Sequence, residues 1–288
     1  IAGALADASL DAAATLRSHL SHLEDRIAAE QVLARRLAGL ADTAELSWQD
    51  VLEVIALTQQ LGHPDPTVRL RAALRPPAQS TSDLLDRLQA EADPAVREAL
   101  VWALAQQPQV AEAAVSRIDD PDPELRRWLV RLLGKLRDPI TVPALVARLD
   151  DPDPRVVAAA VSALGPWRPE SALPRLVALL GTPAGEASDL REALAGYGDA
   201  AVPLVGALLK APVATTRARA AEVLGATGSP AAVPALQEAL TDADPQVRLT
   251  SLIALGELGP PARASIESLA GDDELGKVAR RLLDLHVG

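Results

Sequence analysis

The chain has 288 residues and a formal net charge of −11, and 49% of its residues are hydrophobic but only 2% aromatic. The complete absence of Cys excludes a disulfide framework, a thiolate metal site and a cysteine nucleophile. The acidic balance argues against nucleic-acid binding by this chain alone, because such affinity comes from Lys and Arg.

The first residues, IAGALADAS, carry neither the basic nor the apolar region of a secretory signal peptide. No apolar run approaches the roughly 18 residues that indicate a transmembrane helix. We therefore expect a cytoplasmic location and no membrane partner. The chain also starts without Met, which predicts a fragment or a trimmed product of a longer protein.

The segment 15–41 is predicted to form one long helix. Its apolar residues follow the four-and-three spacing of a coiled coil, interrupted at Glu30. They are Leu16, Leu20, Leu23, Ile27, Ala34 and Leu37. Such a seam predicts either a homodimer through residues 15–41 or packing on the rest of the chain. Ser47 and Asp50 then have the spacing of a capping box, which predicts a second helix over 50–61.

From residue 62 onward the sequence repeats with a period of about 30 residues. The motif Asp-Pro-x-(Val/Leu)-Arg begins at Asp65, Asp93, Asp122 and Asp244, and a variant begins at Asp153. Two further series keep the same register, namely Gly134, Gly165, Gly225 and Gly256, and Pro143, Pro174, Pro203 and Pro234. This periodicity predicts a solenoid, in which each unit buries its apolar face against its neighbours.

Each unit is predicted to be a pair of helices. Asp before Pro is a good N-cap, because its carboxylate accepts from the free N–H groups of the first turn. Pro at the first helical position loses no hydrogen bond. We expect the recurring glycine to end this helix with a positive φ, and the recurring proline to open the second helix of the pair.

These motifs resemble the short variety of HEAT-like repeats (the PBS-lyase type) over about residues 62–288. The resemblance implies an all-α fold, an α-solenoid of about eight helical repeats preceded by the long coiled-coil-like helix. We expect two domains, at 1–61 and 62–288. The resemblance also implies a structural ladder between repeats, made by the motif aspartates and by Arg69, Arg97, Arg126 and Arg248.

The first sixty residues resemble the tail of a MerR-type transcription regulator. In that family a segment like IAGALADASLD (1–11) leads into a dimerising coiled-coil helix. A short helix like LSWQDVLEVIALTQQL (46–61) then leads into a variable effector domain. The resemblance implies that this chain is the effector region of a MerR-like regulator without its DNA-binding domain.

The few aromatic residues indicate where a partner binds. The positions two and five residues after the motif Arg are not required by the core, and adjacent repeats place Trp128 and Trp102 there. HEAT-like solenoids line their concave surface with this helix. We therefore predict a site for a small molecule or a protein partner at Trp102, Trp128, Arg127, Arg131 and Glu98. The alternative is that both Trp side chains fill gaps between repeats.

Catalytic motifs are absent from the sequence, including a phosphate-binding loop, a nucleophile elbow and a zinc-protease helix. We expect no enzymatic activity, no metal and no cofactor. The main hypothesis is a sensor that binds its ligand on the concave face and acts through the coiled coil. The alternative is a protein–protein interaction scaffold with no small-molecule ligand. HEAT-like folds also include DNA glycosylases and bilin lyases, and the acidic balance disfavours a glycosylase.

Overall fold

A computed structural model of the chain describes residues 48–74, 81–186 and 188–285. It also describes seven positions of the N-terminal segment, all helical, which are Leu16, Arg17, Leu20, Leu23, Ile27, Gln31 and Ala34. The other positions of the predicted seam, including Leu37, lie outside the described residues, as does Ser47 of the predicted capping box. The described residues form helices and turns without any strand, which confirms the all-α fold.

Sixteen α-helices follow one another in the described residues from position 48 onward. They are α1 Trp48–Leu61, α2 Pro66–Ala73, α3 Thr81–Ala90, α4 Pro94–Ala105, α5 Val110–Val115, α6 Pro123–Leu136, α7 Val142–Ala147, α8 Pro154–Leu164, α9 Leu173–Leu179, α10 Ser188–Ala195, α11 Val202–Ala207, α12 Ala214–Ala226, α13 Val233–Ala239, α14 Pro245–Leu258, α15 Arg263–Ser268 and α16 Gly276–Leu285. None of the helices searched in the described part is long and apolar enough to cross a membrane.

The chain divides into two compact units, Ile1–Val110 and Ala111–Gly288. In the second unit the even-numbered helices form one row, in which each of α6, α8, α10, α12 and α14 contacts the next. The odd-numbered helices α7, α9, α11, α13 and α15 each pack on the even-numbered helix that follows. This succession of helix pairs is the predicted α-solenoid. The predicted domain boundary after residue 61 stays a prediction.

The core is built from Leu, Val and Ala, as the composition requires. In α6, Leu125, Leu129, Leu132 and Leu133 recur at helical spacing and are all buried. Burying each such side chain contributes about 1.5–3 kcal/mol relative to leaving it in water. The motif therefore sets which face of each long helix turns inward.

The Asp-Pro motif begins its helices as predicted. The carboxylate of Asp122 accepts a hydrogen bond from the backbone N–H of Glu124, and that of Asp153 accepts from Arg155. Asp244 caps α14 in the same way, with the following Pro inside the first turn. A cap of this kind stabilises a helix by about 1 kcal/mol.

The recurring glycines do not end their helices with a positive φ, so that prediction is wrong. Gly165 has φ −54°, in the right-handed region. The left-handed positions lie three residues further on, at Arg137, Arg168, Gly228 and Gly259. In this position a residue without a Cβ is unstrained, yet two repeats place Arg there.

The glycines instead permit neighbouring long helices to approach closely. A Cβ built on Gly225 of α12 would lie 2.7 Å from the Cα of Ala254 in α14. A Cβ on Gly134 of α6 would lie 2.7 Å from the Cβ of Ala163 in α8. Real Cβ atoms do not approach other heavy atoms this closely, so the series is a packing requirement.

Candidate interaction surface

In four repeats the arginine at the motif position ties a long helix to the turn that leads into the next one. Arg126 donates from Nε and Nη2 to the two carboxylate oxygens of Asp151, at 2.9 and 2.7 Å. Its Nη1 donates to the backbone carbonyls of Asp120 and Pro121. The two side chains are only 9% and 0% exposed. A bidentate pair of this kind fixes orientation as well as distance.

The same arrangement recurs along the chain. The pairs are Arg69 with Glu91, Arg217 with Asp242, and Arg248 with Glu274. The acid in these pairs is not the motif aspartate, so the predicted ladder of motif Asp with motif Arg is wrong. In three of the four pairs the acid lies two residues before the Asp of the following repeat, as Asp151 does before Asp153. Its carboxylate also accepts from the backbone N–H of Asp153, at 3.0 Å.

The buried pair is ionised at neutral pH. Burial by itself would raise the pKa of the Asp151 carboxyl, but hydrogen bonds from Arg126 and from the Asp153 backbone hold this pKa below its usual 3.8. The hydrogen bond to Asp151 raises the pKa of Arg126 in turn. The ladder therefore keeps its charges and holds the long helices in a fixed register.

On α6, α8, α10, α12 and α14 the position five residues after the motif Arg, or after the residue that replaces it, is exposed. We call this set the exposed row, and it consists of Arg131, Ser162, Glu192, Glu222 and Ile253. Glu192 belongs to α10, whose motif is degenerate and whose register follows from the spacing of its neighbours. The row agrees with the prediction that the core does not require this position. The position two residues after the Arg is different, since Trp128 and Thr250 are buried there.

Trp128 is 5% exposed. Of the two predicted alternatives, an exposed binding residue or a buried residue that fills space, the structure agrees with the buried one. The guanidinium groups of Arg127 and Arg131 both lie over its ring, 5.2 and 5.1 Å from the centroid. Its indole N–H donates to Glu124 at 3.0 Å, and Arg127 donates to the same carboxylate oxygen at 2.6 Å. Trp128 is therefore not an open floor for a ligand.

The structure brings Arg127, Trp128 and Arg131 together in the second unit. Glu98 and Trp102 lie in the first unit, one turn apart on α4, and therefore share a face. Trp102 is 54% exposed, whereas Glu98 is half-buried. The prediction that the five residues form one binding site stays a prediction.

Tyr197 joins two turns at the repeat edges. Its hydroxyl donates to the carbonyl of Pro169 at 2.9 Å, and Arg168 donates to the carbonyl of Gly196 at 2.7 Å. Burial raises the pKa of Tyr197 to about 12, against the opposing charge of Arg168. The tyrosine therefore stays protonated and joins the two turns through its hydroxyl group.

A cleft between α8 and α10 was missed by the sequence analysis. It encloses about 470 Å³ beside the exposed row, with Val161, Pro166 and Ala193 as apolar lining and Asp189 and Glu192 as acidic lining. The only sequence signal for it is a pair of acids three residues apart on one helix. No group of three or more His, Asp or Glu suited to a metal ion occurs in the part of the chain that the structure describes.

Comparisons with known proteins agree with this architecture. A family model described as HEAT repeats matches residues 81–164, 111–195 and 201–284. None of the curated proteins matches the chain.

Three solved structures that match the chain share little sequence with it. The complex of CpcE and CpcF of phycocyanin lyase from Nostoc sp. PCC7120 is 24% identical, covering 73% of this chain and 95% of that one, with a TM-score of 0.39. Human deoxyhypusine hydroxylase is 23% identical, covering 82% and 95%, with a TM-score of 0.35. An engineered protein is 20% identical, covering 90% and 84%, with a TM-score of 0.40.

Proposed function

Because this chain belongs to the HEAT-repeat family, we propose that it is a scaffold that binds another protein along its long helices and catalyses no reaction. The observation that carries the proposal is the exposed row. Capping, core packing and the arginine ladder do not determine this position. It is exposed on five successive long helices and changes its chemistry from repeat to repeat, from Arg131 through Ser162 and two glutamates to Ile253.

A fixed surface suits this role, because a preorganised binding face loses little conformational entropy on association. The helices that carry the row contact one another in order from α6 to α14. Partly buried ion pairs such as Arg217 with Asp242 hold them in place. In the first unit, Trp102 occupies the equivalent position of its repeat and offers a large apolar contact.

Site-specific crosslinking tests the proposal. A photoreactive amino acid is placed at Ser162 in the row or, as a control, at Glu238 of α13, which is 68% exposed but lies outside the row. We expect the Ser162 protein to crosslink one cellular protein, identified by mass spectrometry, that the Glu238 protein does not. That protein, once purified, should bind the unmodified chain. Equal adducts from both positions, or none from Ser162, contradict the proposal.

A second function rests on the N-terminal segment, which resembles that of MerR-type regulators. Leu16, Leu20 and Ile27 are helical and 65%, 56% and 52% exposed, at the spacing of a coiled-coil seam. This supports a homodimer through residues 15–41 in a regulator that responds to a small molecule or a protein. Because Trp128 is buried and offers a ligand no open surface, we rank the regulator function second.

Light scattering on the purified chain tests the dimer. We expect a dimer that becomes monomeric when Leu20 and Ile27 are changed to Glu. The matched control is Leu52→Glu, because Leu52 is 63% exposed but lies outside the seam. A monomeric wild-type chain would remove the support for this second function.

A further inference from the structure

The cleft beside the exposed row lies where two long helices approach closely. A Cβ on Gly165, which follows α8 directly, would be 3.1 Å from the Cβ of Ala193 in α10, so small residues line the contact. Val161 and Pro166 add apolar surface next to it. The volume of about 470 Å³ lies within the roughly 300–1,000 Å³ of typical ligand pockets. The cleft can therefore seat a long side chain.

Negative charge surrounds this cleft and continues past it. Asp189 and Glu192 line the cleft, Glu222 follows in the exposed row on α12, and Glu257 follows on α14. Within the described residues no ion pair holds any of these four carboxylates. The Ser162 hydroxyl donates to Asp189 at 3.1 Å, which orients that carboxylate without neutralising it.

Two arginines lie near these acids and do not balance them. Arg219 donates to the carbonyls of Leu180 and Thr182, at 3.0 and 2.9 Å, which directs its charge toward a turn. Arg191 lies near Glu257: burial raises the pKa of that glutamate, Arg191 lowers it, and the charge of Glu222 raises it. The surface keeps an excess of negative charge that favours a cationic occupant.

We propose that this cleft and the acids of the exposed row bind an extended basic segment of the partner protein. One Lys or Arg side chain lies in the cleft, with its methylene groups on Val161 and Pro166 and its charge between Asp189 and Glu192. Long cationic side chains bury their stems on apolar surface in this way. The inference rests on the proposed scaffold function and names the chemistry of its partner.

The repeat spacing specifies the segment further. Glu192 and Glu222 occupy the same position on α10 and α12, which are in contact. Packed helices lie about 8–10 Å apart. A chain in the polyproline II conformation advances about 3.1 Å per residue and turns every third side chain to the same face, so three residues span about 9 Å. The segment should therefore carry Lys or Arg at every third position.

Fluorescence anisotropy with labelled peptides tests the inference on the full chain. One short peptide has Lys at every third position among Ser and Ala, and its isomer has the same residues with all Lys adjacent. We expect the spaced peptide to bind more tightly than its isomer. Glu192→Gln should weaken it about tenfold, the effect of about 1.4 kcal/mol. The matched control is Glu238→Gln, which removes the same charge outside the row and should leave binding unchanged.

Several results overturn this inference. The inference is wrong if the spaced peptide does not bind or if its isomer binds equally well. It is also wrong if Glu192→Gln and Glu238→Gln weaken binding equally, because that would reflect general attraction to an acidic chain. The crosslinking experiment separates this failure from that of the scaffold function. A Ser162 adduct to a segment without basic residues keeps the scaffold and removes the basic partner. If the spaced peptide binds at Glu192 but Ser162 gives no cellular adduct, the surface recognises basic segments and the scaffold function is removed.

Discussion

Arg126 and Asp151 form a bidentate ion pair that is almost completely buried, although 25 residues separate them in sequence. Both charges have left water, so Arg126 depends on Asp151 for compensation, whereas Asp151 also has Arg148 at 3.4 Å. Arg126 also satisfies two backbone carbonyls at the start of its own helix. The pair thereby joins three chain segments that no apolar contact would orient so strictly.

Asp151→Ala is expected to destabilise the chain by about 3–5 kcal/mol, because it leaves the Arg126 guanidinium buried without its counter-charge. Urea unfolding followed by circular dichroism measures the change. Glu238→Gln is the control, because it breaks an exposed pair with Lys210 and should cost less than about 1 kcal/mol. Similar losses in the two variants would mean that burial does not strengthen the dependence on the pair.

The chain is expected to lose stability as the pH is lowered below about 3.8, the usual pKa of an Asp carboxyl. The folded-state pKa of Asp151 lies below that value. Its stabilising contribution is therefore complete above the unfolded pKa and is lost as pH falls through the folded one. Unfolding measured across this window should show a shallower decline in Asp151→Asn. An unchanged slope would show that Asp151 titrates as it does in the unfolded chain.

Gly225→Ala is expected to destabilise the chain by about 1–3 kcal/mol, since the new methyl group would overlap the backbone of Ala254. Gly206→Ala is a matched control in another helix, where the nearest atom is 3.9 Å away. That change should be neutral or stabilise by up to about 1 kcal/mol through helix propensity. Thermal unfolding distinguishes the two, and a tolerated Gly225→Ala would contradict the close approach of α12 and α14.

Ser251→Ala is expected to stabilise the chain by about 1–3 kcal/mol. The Ser251 hydroxyl is buried in α14, and no hydrogen-bond partner for it occurs among the described residues. Ser265→Ala is the contrasting change, because the Ser265 hydroxyl accepts from the side chain of Gln237. We expect that variant to lose stability, and a loss in both would indicate that Ser251 has a partner.

The two tryptophans of the predicted site are expected to behave oppositely. Trp128→Ala should cost about 3–5 kcal/mol of stability, as for other buried aromatic residues. Trp102 is 54% exposed, so Trp102→Ala should change stability by less than about 0.5 kcal/mol. The same unfolding measurements compare them. A large loss from Trp102→Ala would mean that its ring contributes to packing more than to recognition.

Local features of this fold could be predicted from sequence, whereas contacts between repeats could not. The cap at Asp122 involves a backbone group two residues away, so the motif itself predicts it. The partner of Arg126 lies in another repeat, and its sequence signal is only an acid two residues before the next Asp. Arg126 pairs with Asp151 and not with the nearby Asp153, because the Asp153 carboxylate already caps α8.

The same distinction explains the errors at the glycines and at Trp128. Spacing reveals that the glycine at position 134 recurs. A positive φ and a close helix contact both favour glycine, and only the position of the neighbouring helix shows which of the two reasons applies. For Trp128, the register predicted a position outside the core, but the side chain is buried. Arg127 and Arg131 both lie over its ring, and spacing along one helix could not reveal that.

Because the acid that pairs with a ladder arginine precedes the next cap by two residues in three of the four pairs, a whole period of the chain contains one complete set of contacts. Duplicating or excising such a module at equivalent positions, for example between Arg217 and Arg248, would rejoin an arginine with an acid at the normal separation. The chain can therefore change length in steps of one module, and the proposed binding surface would lengthen or shorten with it, because each junction keeps the existing contacts.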